Sequence, residues 1–267
     1  MGFFSRLFKR KKQKQIKLGL ALGSGGAKGF AELGALVAME ENEIFFDVVA
    51  GSSIGGIIGA FYADGYTASD ITAIISGLNF SEIITAKMIN MDSDGLFKVL
   101  DRELGNLNYD ELKKPFKCVA TEYESGKEKV FDSGNIASTL CASSCYYPFF
   151  KPVVIDGVTY VDGAYVNSVP ADVVKDMGAD YIVGIDISNH ESKTGFLMKM
   201  LSYGKKTSEP WKKGYDNSDV MIHPDLSAYK STSLSEGKAM FALGYAAASE
   251  VIPKIKSDIA HLKNHKK

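Results

Sequence analysis

Ile16-Lys17-Leu18-Gly19-Leu20-Ala21-Leu22-Gly23-Ser24-Gly25-Gly26-Ala27-Lys28-Gly29 is the stretch on which the fold reading turns. The apolar run Ile16–Leu22 has the length of a buried strand and breaks into a glycine-rich loop at Gly23. Beyond it, Phe30, Leu33, Leu36, Val37 and Met39 recur at near-helical spacing, which predicts a helix over 28–39. The same order then repeats. Asp47-Val48-Val49-Ala50 reads as a second short strand, and Ser53–Ala63, small and apolar throughout, as a helix packed in the core. Strand, helix, strand, helix implies parallel strands joined by crossovers, so the expected fold class is α/β.

Outward from there the elements are less regular. Residues 68–77 and 95–104 read as helices, while 83–92 fit no single period. Strands at 116–122 and 127–132 flank Ser125-Gly126, and 153–155 and 158–161 bracket Asp156-Gly157, a strong hairpin signal. A helix over 136–146 should stop before Pro148. A helix over 171–177, strands at 181–187 and 219–222, and a long helix over 235–262, interrupted near Pro253, complete the reading. With no repeat and no linker, the expected organisation is an N-terminal basic segment, 1–15, followed by one domain, 16–267.

The 267 residues are 45 % hydrophobic and 24 % charged, ordinary globular values that exclude collagen-like, disordered and coiled-coil chains. A net charge of −1 conceals a division. Arg6, Lys9, Arg10, Lys11, Lys12, Lys14 and Lys17 are seven cations with no acid among them, and the remainder holds 24 basic against 32 acidic residues, a charge of −8. Such a body is not built to bind nucleic acid, whereas the first segment should seek anionic surfaces. Cys118, Cys141 and Cys145 form no C-x-x-C pair, so neither a disulfide scaffold nor a zinc site is expected, and a reduced compartment fits. No secretory signal is visible, and the most apolar stretch, Val48–Ala63, is glycine-interrupted and short for a bilayer. The expected location is the cytoplasm, with peripheral contact at the inner membrane face as an extension of it.

Gly51-Ser52-Ser53-Ile54-Gly55 has the form G-x-S-x-G, a pattern common by chance but here set between a strand and a helix. A sharp strand-to-helix turn needs tiny neighbours at Gly51 and Gly55, and it exposes Ser53 at a helix N-terminus, whose dipole favours developing negative charge. The plainer alternative is a small-residue helix start packed close to a strand. The loop Gly23–Gly29 offers unpaired backbone N–H groups to an anion. A dinucleotide fingerprint fails, because Lys28 stands where its third glycine belongs, and no G-K-[ST] of a P-loop follows. An oxyanion hole serving Ser53 accounts for both loops. For the base, His190 and His223 each follow an expected strand, and His261 and His265 lie in a lysine-rich tail. Asp162, in Val161-Asp162-Gly163-Ala164, also ends a strand, although Asp-Gly alone reads as a turn. The residues themselves leave the choice of base open.

In this order and spacing, Gly25-Gly26-Ala27-Lys28-Gly29, Gly51-Ser52-Ser53-Ile54-Gly55 and Asp162-Gly163-Ala164 resemble the patatin-like phospholipases. Leu20-Ala21-Leu22, Asp47-Val48-Val49-Ala50 and Ala142-Ser143-Ser144 with Pro148 and Phe150 extend the likeness, which runs from about Ile16 to about Ala248. Ser24 replaces a glycine of the family's fuller loop. The resemblance implies a three-layer α/β/α fold with a mostly parallel central sheet, and a Ser–Asp dyad in place of a triad. Ser53 would attack an ester carbonyl and Asp162 would take its proton. N–H groups around Gly25, Gly26, Ala27 and Lys28 would hold the oxyanion, with Gly29, Gly51, Gly55 and Gly163 supporting the motifs. Neither metal nor cofactor is implied, and the substrate would be a phospholipid or another acyl-ester lipid.

Two flanking stretches carry further expectations. In 1–15, Phe3, Phe4, Leu7 and Phe8 share one side of a helix with basic residues around them, either an anchor lying in an anionic bilayer surface or a basic tail without a specific partner. The stretch 196–215, with Phe196, Leu197, Met198, Met200, Leu201 and Trp211 among lysines, reads as an amphipathic surface helix and loop or as a lid.

Overall fold

The computed structural model describes residues 15–78, 90–188 and 209–265. Segment 1–14, residues 83–89, His190 and residues 196–208, all with expectations above, lie outside the described residues. Among the described residues eight strands form one sheet: β1 (Leu18–Leu22), β2 (Val48–Ser52), β3 (Phe116–Glu122), β4 (Glu128–Phe131), β5 (Val153–Ile155), β6 (Val158–Asp162), β7 (Tyr181–Ile185) and β8 (Val220–Ile222). The helices are α1 (Gly29–Glu41), α2 (Ile54–Ala63), α3 (Ala68–Gly77), α4 (Asp94–Leu104), α5 (Ile136–Ser144), α6 (Ala171–Asp176), α7 (Lys212–Asn217) and α8 (Gly237–His265). Strands β3, β2, β1, β7 and β8 lie side by side and parallel, whereas β4, β6 and β5 join antiparallel at the β3 end. The α/β expectation holds, with an antiparallel margin on a mostly parallel sheet.

Alternation along the strands sets up the layers, because successive side chains leave a strand on opposite faces. Leu20, Leu22, Val49, Cys118, Ala120 and Val183 enter the larger core with α1, α2 and α8. Their neighbours Ala21, Val48, Ala50, Val119 and Ile182 enter a second core under Val173 and Val174 of α6. Helix α1 is buried on nearly every side, as a helix between a sheet and another helix must be. It meets α8 at a glycine pair: a Cβ on Gly34 would lie 2.0 Å from Phe241 O, and one on Gly244 1.8 Å from Ala31 O. Pro253 does not interrupt α8 as expected; buried Ile252 and Ile255 on either side hold the helix through it. No described helix is long and apolar enough to cross a membrane.

One detail of register positions the site. Strand β3 pairs with β4 along one edge, and its other edge is shared end to end by β2 and β6. Ser52 of β2 stands opposite Val119 and Asp162 of β6 opposite Ala120, so two strands running toward each other finish on adjacent residues of β3. Parallel β2 and antiparallel β6 therefore deliver their C-terminal ends to one place. An all-parallel sheet would leave those ends at least one strand apart.

Candidate active site

Between the end of β2 and the start of α2 stands a single residue, Ser53, at φ 55° and ψ −125°. A non-glycine residue held there costs about 1–3 kcal/mol and persists only where its surroundings fix it. They do so from three sides. The Ser53 N–H donates to Ser143 Oγ at 2.8 Å, and that hydroxyl donates onward to Val119 O at 2.7 Å. A Cβ on Gly51 would sit 2.2 Å from Gly55 O, and one on Gly55 2.5 Å from Gly23 O, so the turn closes only because both are glycine. Gly29 gives the helix above its close seat, its Cβ position being 2.5 Å from Ile54 Cγ1.

The Ser53 hydroxyl donates to Asp162 Oδ2 at 2.7 Å. Asp162 is only 2 % exposed, and its carboxylate is fixed: Oδ1 accepts the Ala164 N–H at 2.8 Å. Its backbone is tied at both ends, N–H to Cys145 O at 3.1 Å and carbonyl to the Thr121 hydroxyl at 2.9 Å. Gly163 must be small, since a Cβ would fall 2.2 Å from Val119 O. Tyr146 and Tyr165, stacked at 5.0 Å, wall this side. Burial first, and the Asp162 charge second, push the Tyr146 phenol up to about 12.

The glycine-rich loop starts where β1 ends, next to β2, so it borders Ser53 on the other side. A short 3-10 turn, Gly26–Lys28, leads directly into α1, with Gly26 at φ +58°. Its amides are not equivalent. The Ala27 N–H donates to Ser231 O at 2.8 Å and the Lys28 N–H to Gly25 O at 3.3 Å. Among the described residues, the N–H groups of Gly25 and Gly26 have no acceptor. Of the four loop residues named from the sequence, two therefore have amides open to a ligand. Lys28 is 6 % exposed; burial lowers its ammonium's pKa, opposed by the charge of Asp186.

His223, the described alternative base, follows β8, and β1 and β7 separate β8 from β2. Three strand spacings amount to roughly 14 Å, far beyond hydrogen-bond reach of Ser53. Its Nδ1 instead lies 3.0 Å from Asp186 O and 3.6 Å from Asp186 Oδ2. Sequence reasoning passed over three residues that matter here. Ser143 was only part of a family-like string, Asp186 only the end of a strand, and Glu32 an unremarked acid among the apolar positions of α1. The one available signal was Glu32 itself, an acid flanked by Phe30, Ala31 and Leu33.

A mostly parallel sheet carrying a glycine-rich loop and a strained serine on adjacent strand ends defines an α/β protein with a serine at a sharp strand-to-helix turn. The chain belongs to the patatin-like phospholipase family, whose profile matches residues 20–175. It is 28 % identical over 80 % of its length to human patatin-like phospholipase domain-containing protein 6, covering 16 % of that protein. It is 24 % identical over 96 % of its length to lysophospholipase nte1 of Aspergillus fumigatus, covering 19 % of it. The chain thus spans less than a fifth of these relatives. The fold resembles that of VipD from Legionella pneumophila, with a TM-score of 0.61 at 14 % identity over 90 % of this chain and 67 % of that one. Human GIVD cytosolic phospholipase A2, solved with methyl gamma-linolenyl fluorophosphonate, gives 0.55 at 8 % identity over 94 % and 59 % of the respective chains.

Proposed function

We propose that the chain is a serine lipid acyl hydrolase, a phospholipase A or lysophospholipase-type esterase working through a Ser53–Asp162 dyad. The observation that carries this reading is the 2.7 Å hydrogen bond from the hydroxyl of a strained serine to a buried, anchored carboxylate. Family membership and the relatives named as phospholipases support it.

In the first half-reaction Asp162 accepts the hydroxyl proton as Ser53 Oγ attacks the ester carbonyl carbon. The carbonyl oxygen takes the electron pair and is held by the Gly25 and Gly26 amides, with Ala27 and Lys28 shaping the loop. Collapse of the tetrahedral intermediate expels the alcohol, which leaves with the proton from Asp162. Water then gives a proton to Asp162, attacks the acyl-serine and releases the fatty acid, and the proton returns to Ser53. The same Asp162 oxygen serves both halves, so no imidazole is needed to turn between leaving group and water. Residues 1–15, with Phe3, Phe4, Leu7 and Phe8 among seven basic neighbours up to Lys17, would, if helical, hold the enzyme against an anionic membrane surface where its substrate lies.

The test is labelling by a fluorophosphonate together with turnover of a chromogenic acyl ester. Ser53 should be modified, and Ser53→Ala and Asp162→Asn should each stop turnover while leaving the circular dichroism spectrum unchanged. Liposome binding with no labelling and no turnover would identify a lipid-binding module instead. Deleting 1–15 should lower turnover on anionic vesicles and leave that of a monomeric soluble ester alone.

A further inference from the structure

Glu32, in the first turn of α1, is 0 % exposed, and the dyad makes no use of it. Its Oε1 accepts the Gly23 N–H at 2.6 Å. Its Oε2 is equally buried and has no hydrogen-bond partner among the described residues. Gly23 is the hinge between β1 and the loop. It is wedged tightly, a Cβ there lying 2.7 Å from Ile185 O. The next anchors along the chain are the Ser24 N–H on Ser168 O at 2.9 Å and the Ala27 N–H on Ser231 O at 2.8 Å. Gly25 and Gly26, whose amides are open, hang between these fixed points.

An ionised carboxylate with one oxygen buried and unpaired is strongly unfavourable, whereas the neutral acid is tolerated. Asp186, 0 % exposed just after β7, lies near enough for its charge to act on Glu32, and around Asp186 gather Lys28 from the loop, Tyr215 from α7 and His223 from just after β8. Burial first, and the Asp186 charge in addition, push the Glu32 carboxyl well above the usual carboxylate range, against the opposing pull of the Gly23 N–H.

We propose that Glu32 is a positioning residue for acyl transfer: as a neutral acid it clamps the Gly23 amide and so keeps the Gly25 and Gly26 amides in place before Ser53. The inference rests on the acyl-hydrolase reading. Neutrality matters because an anion behind the loop would oppose the oxyanion in front of it. Loss of the proton from Glu32 as pH rises through its raised pKa should therefore slow the reaction on the high-pH side.

The experiment measures kcat and KM of the full chain on a monomeric chromogenic ester across pH, with Ser53→Ala as the reference. Glu32→Gln keeps an acceptor for Gly23 and cannot ionise. It should hold kcat within about threefold at neutral pH and move or abolish the alkaline decline. Glu32→Ala should lower kcat on the order of tenfold, the scale of a misplaced oxyanion donor, with KM nearly unchanged. A merely structural residue would not move the pH profile. An alkaline decline that is the same in Glu32→Gln as in the unmodified chain belongs to another group, such as Lys28, and overturns the proposal. So does a folded Glu32→Ala with unchanged kcat. If Glu32→Ala does not fold, the Glu32→Gln profile decides alone. Wild-type turnover in Ser53→Ala would instead bring down the acyl-hydrolase reading, and the inference with it, whatever Glu32 does.

Discussion

Two aspartates end strands on the same side of this sheet, and their surroundings differ. Asp162 closes β6 and Asp186 follows β7; the first is 2 % exposed and the second 0 %. Asp162 receives one backbone N–H and one serine hydroxyl, and that hydroxyl belongs to a half-buried residue within reach of solvent. Asp186 is enclosed: the Ser188 N–H donates to it at 2.9 Å, with His223, Tyr215 and Lys28 around it. Burial is therefore not what separates a candidate base from an anchor. What separates them is whether the partner proton belongs to a group that can react. The antiparallel margin makes the difference, because there, among the described residues, two strand ends meet head to head.

The widest gap should appear on neutralising each aspartate in turn. Asp162→Asn should cut kcat/KM by at least about a thousandfold, the scale seen when one member of a hydrolytic unit is lost. Asp186→Asn, which touches no reacting atom in this scheme, should cost on the order of tenfold through the loop. Equal losses in the two would erase the distinction between base and anchor. Next comes Gly163→Ala. The added Cβ would meet Val119 O at 2.2 Å, so Asp162 must shift. A fall of about a hundredfold in kcat and roughly 2 kcal/mol in stability by urea unfolding is expected.

The same contrast marks what could be read from the chain. Helix α3, Ala68–Gly77, and strand β3, Phe116–Glu122, fall where the residue pattern places them, because local periodicity and turn residues determine both. The turn at Ser53 was legible for a local reason too, since a strand running into a helix through Gly51 and Gly55 fits a sharp turn, which is where the structure puts it. Asp162 was not legible from local chemistry. An Asp-Gly pair is a turn until β6 is known to share an edge of β3 with β2, and that pairing joins residues 109 positions apart. Ser143, Glu32 and Asp186 were hidden in the same way. Ser143 and Asp186 act through contacts to residues distant in the chain, and Glu32 through a bond to Gly23 nine positions back; neither leaves a period in the sequence. The loop was half legible: its glycines announce open amides, but the Ser231 carbonyl that occupies the Ala27 N–H comes from some two hundred residues further on.

Smaller effects sharpen the picture on each side. Ser143→Ala removes the acceptor of the Ser53 N–H and leaves a buried donor unmet. A loss of about 1–2 kcal/mol in stability and about tenfold in kcat should follow, with the turn relaxing from its strained geometry. On the Asp186 side the corresponding effect is on stability against pH. Glu32 holds its proton in the folded chain above the pH at which the unfolded chain releases it. Below the ordinary carboxylate range both states are protonated and the group contributes no slope. Above it the native state binds the extra proton, so stability must fall as pH rises, by at most about 1.4 kcal/mol per unit, until the folded group also ionises. Chemical denaturation from pH 5 upward should show this slope in the unmodified chain and its loss in Glu32→Gln. A stability that rises with pH over that window, with no difference between the two, would place Glu32 in the ionised state.

The smallest expected effect tests the most specific claim. His223 is the described histidine that a triad would recruit, and its ring is bound to Asp186 rather than near Ser53. A hydrolase working through His223 would lose about a thousandfold or more on His223→Ala, since the serine would have no base. In the dyad scheme the same change removes only a half-exposed ring from the rim of the Asp186 cluster, and kcat/KM should stay within about threefold. The contrast does not depend on knowing the natural lipid, because any ester that acylates Ser53 reports on the same proton transfer. It also separates the two aspartates once more. If His223→Ala and Asp186→Asn were both as damaging as Asp162→Asn, the reacting proton would have to pass between β8 and β2, with β1 and β7 lying between them.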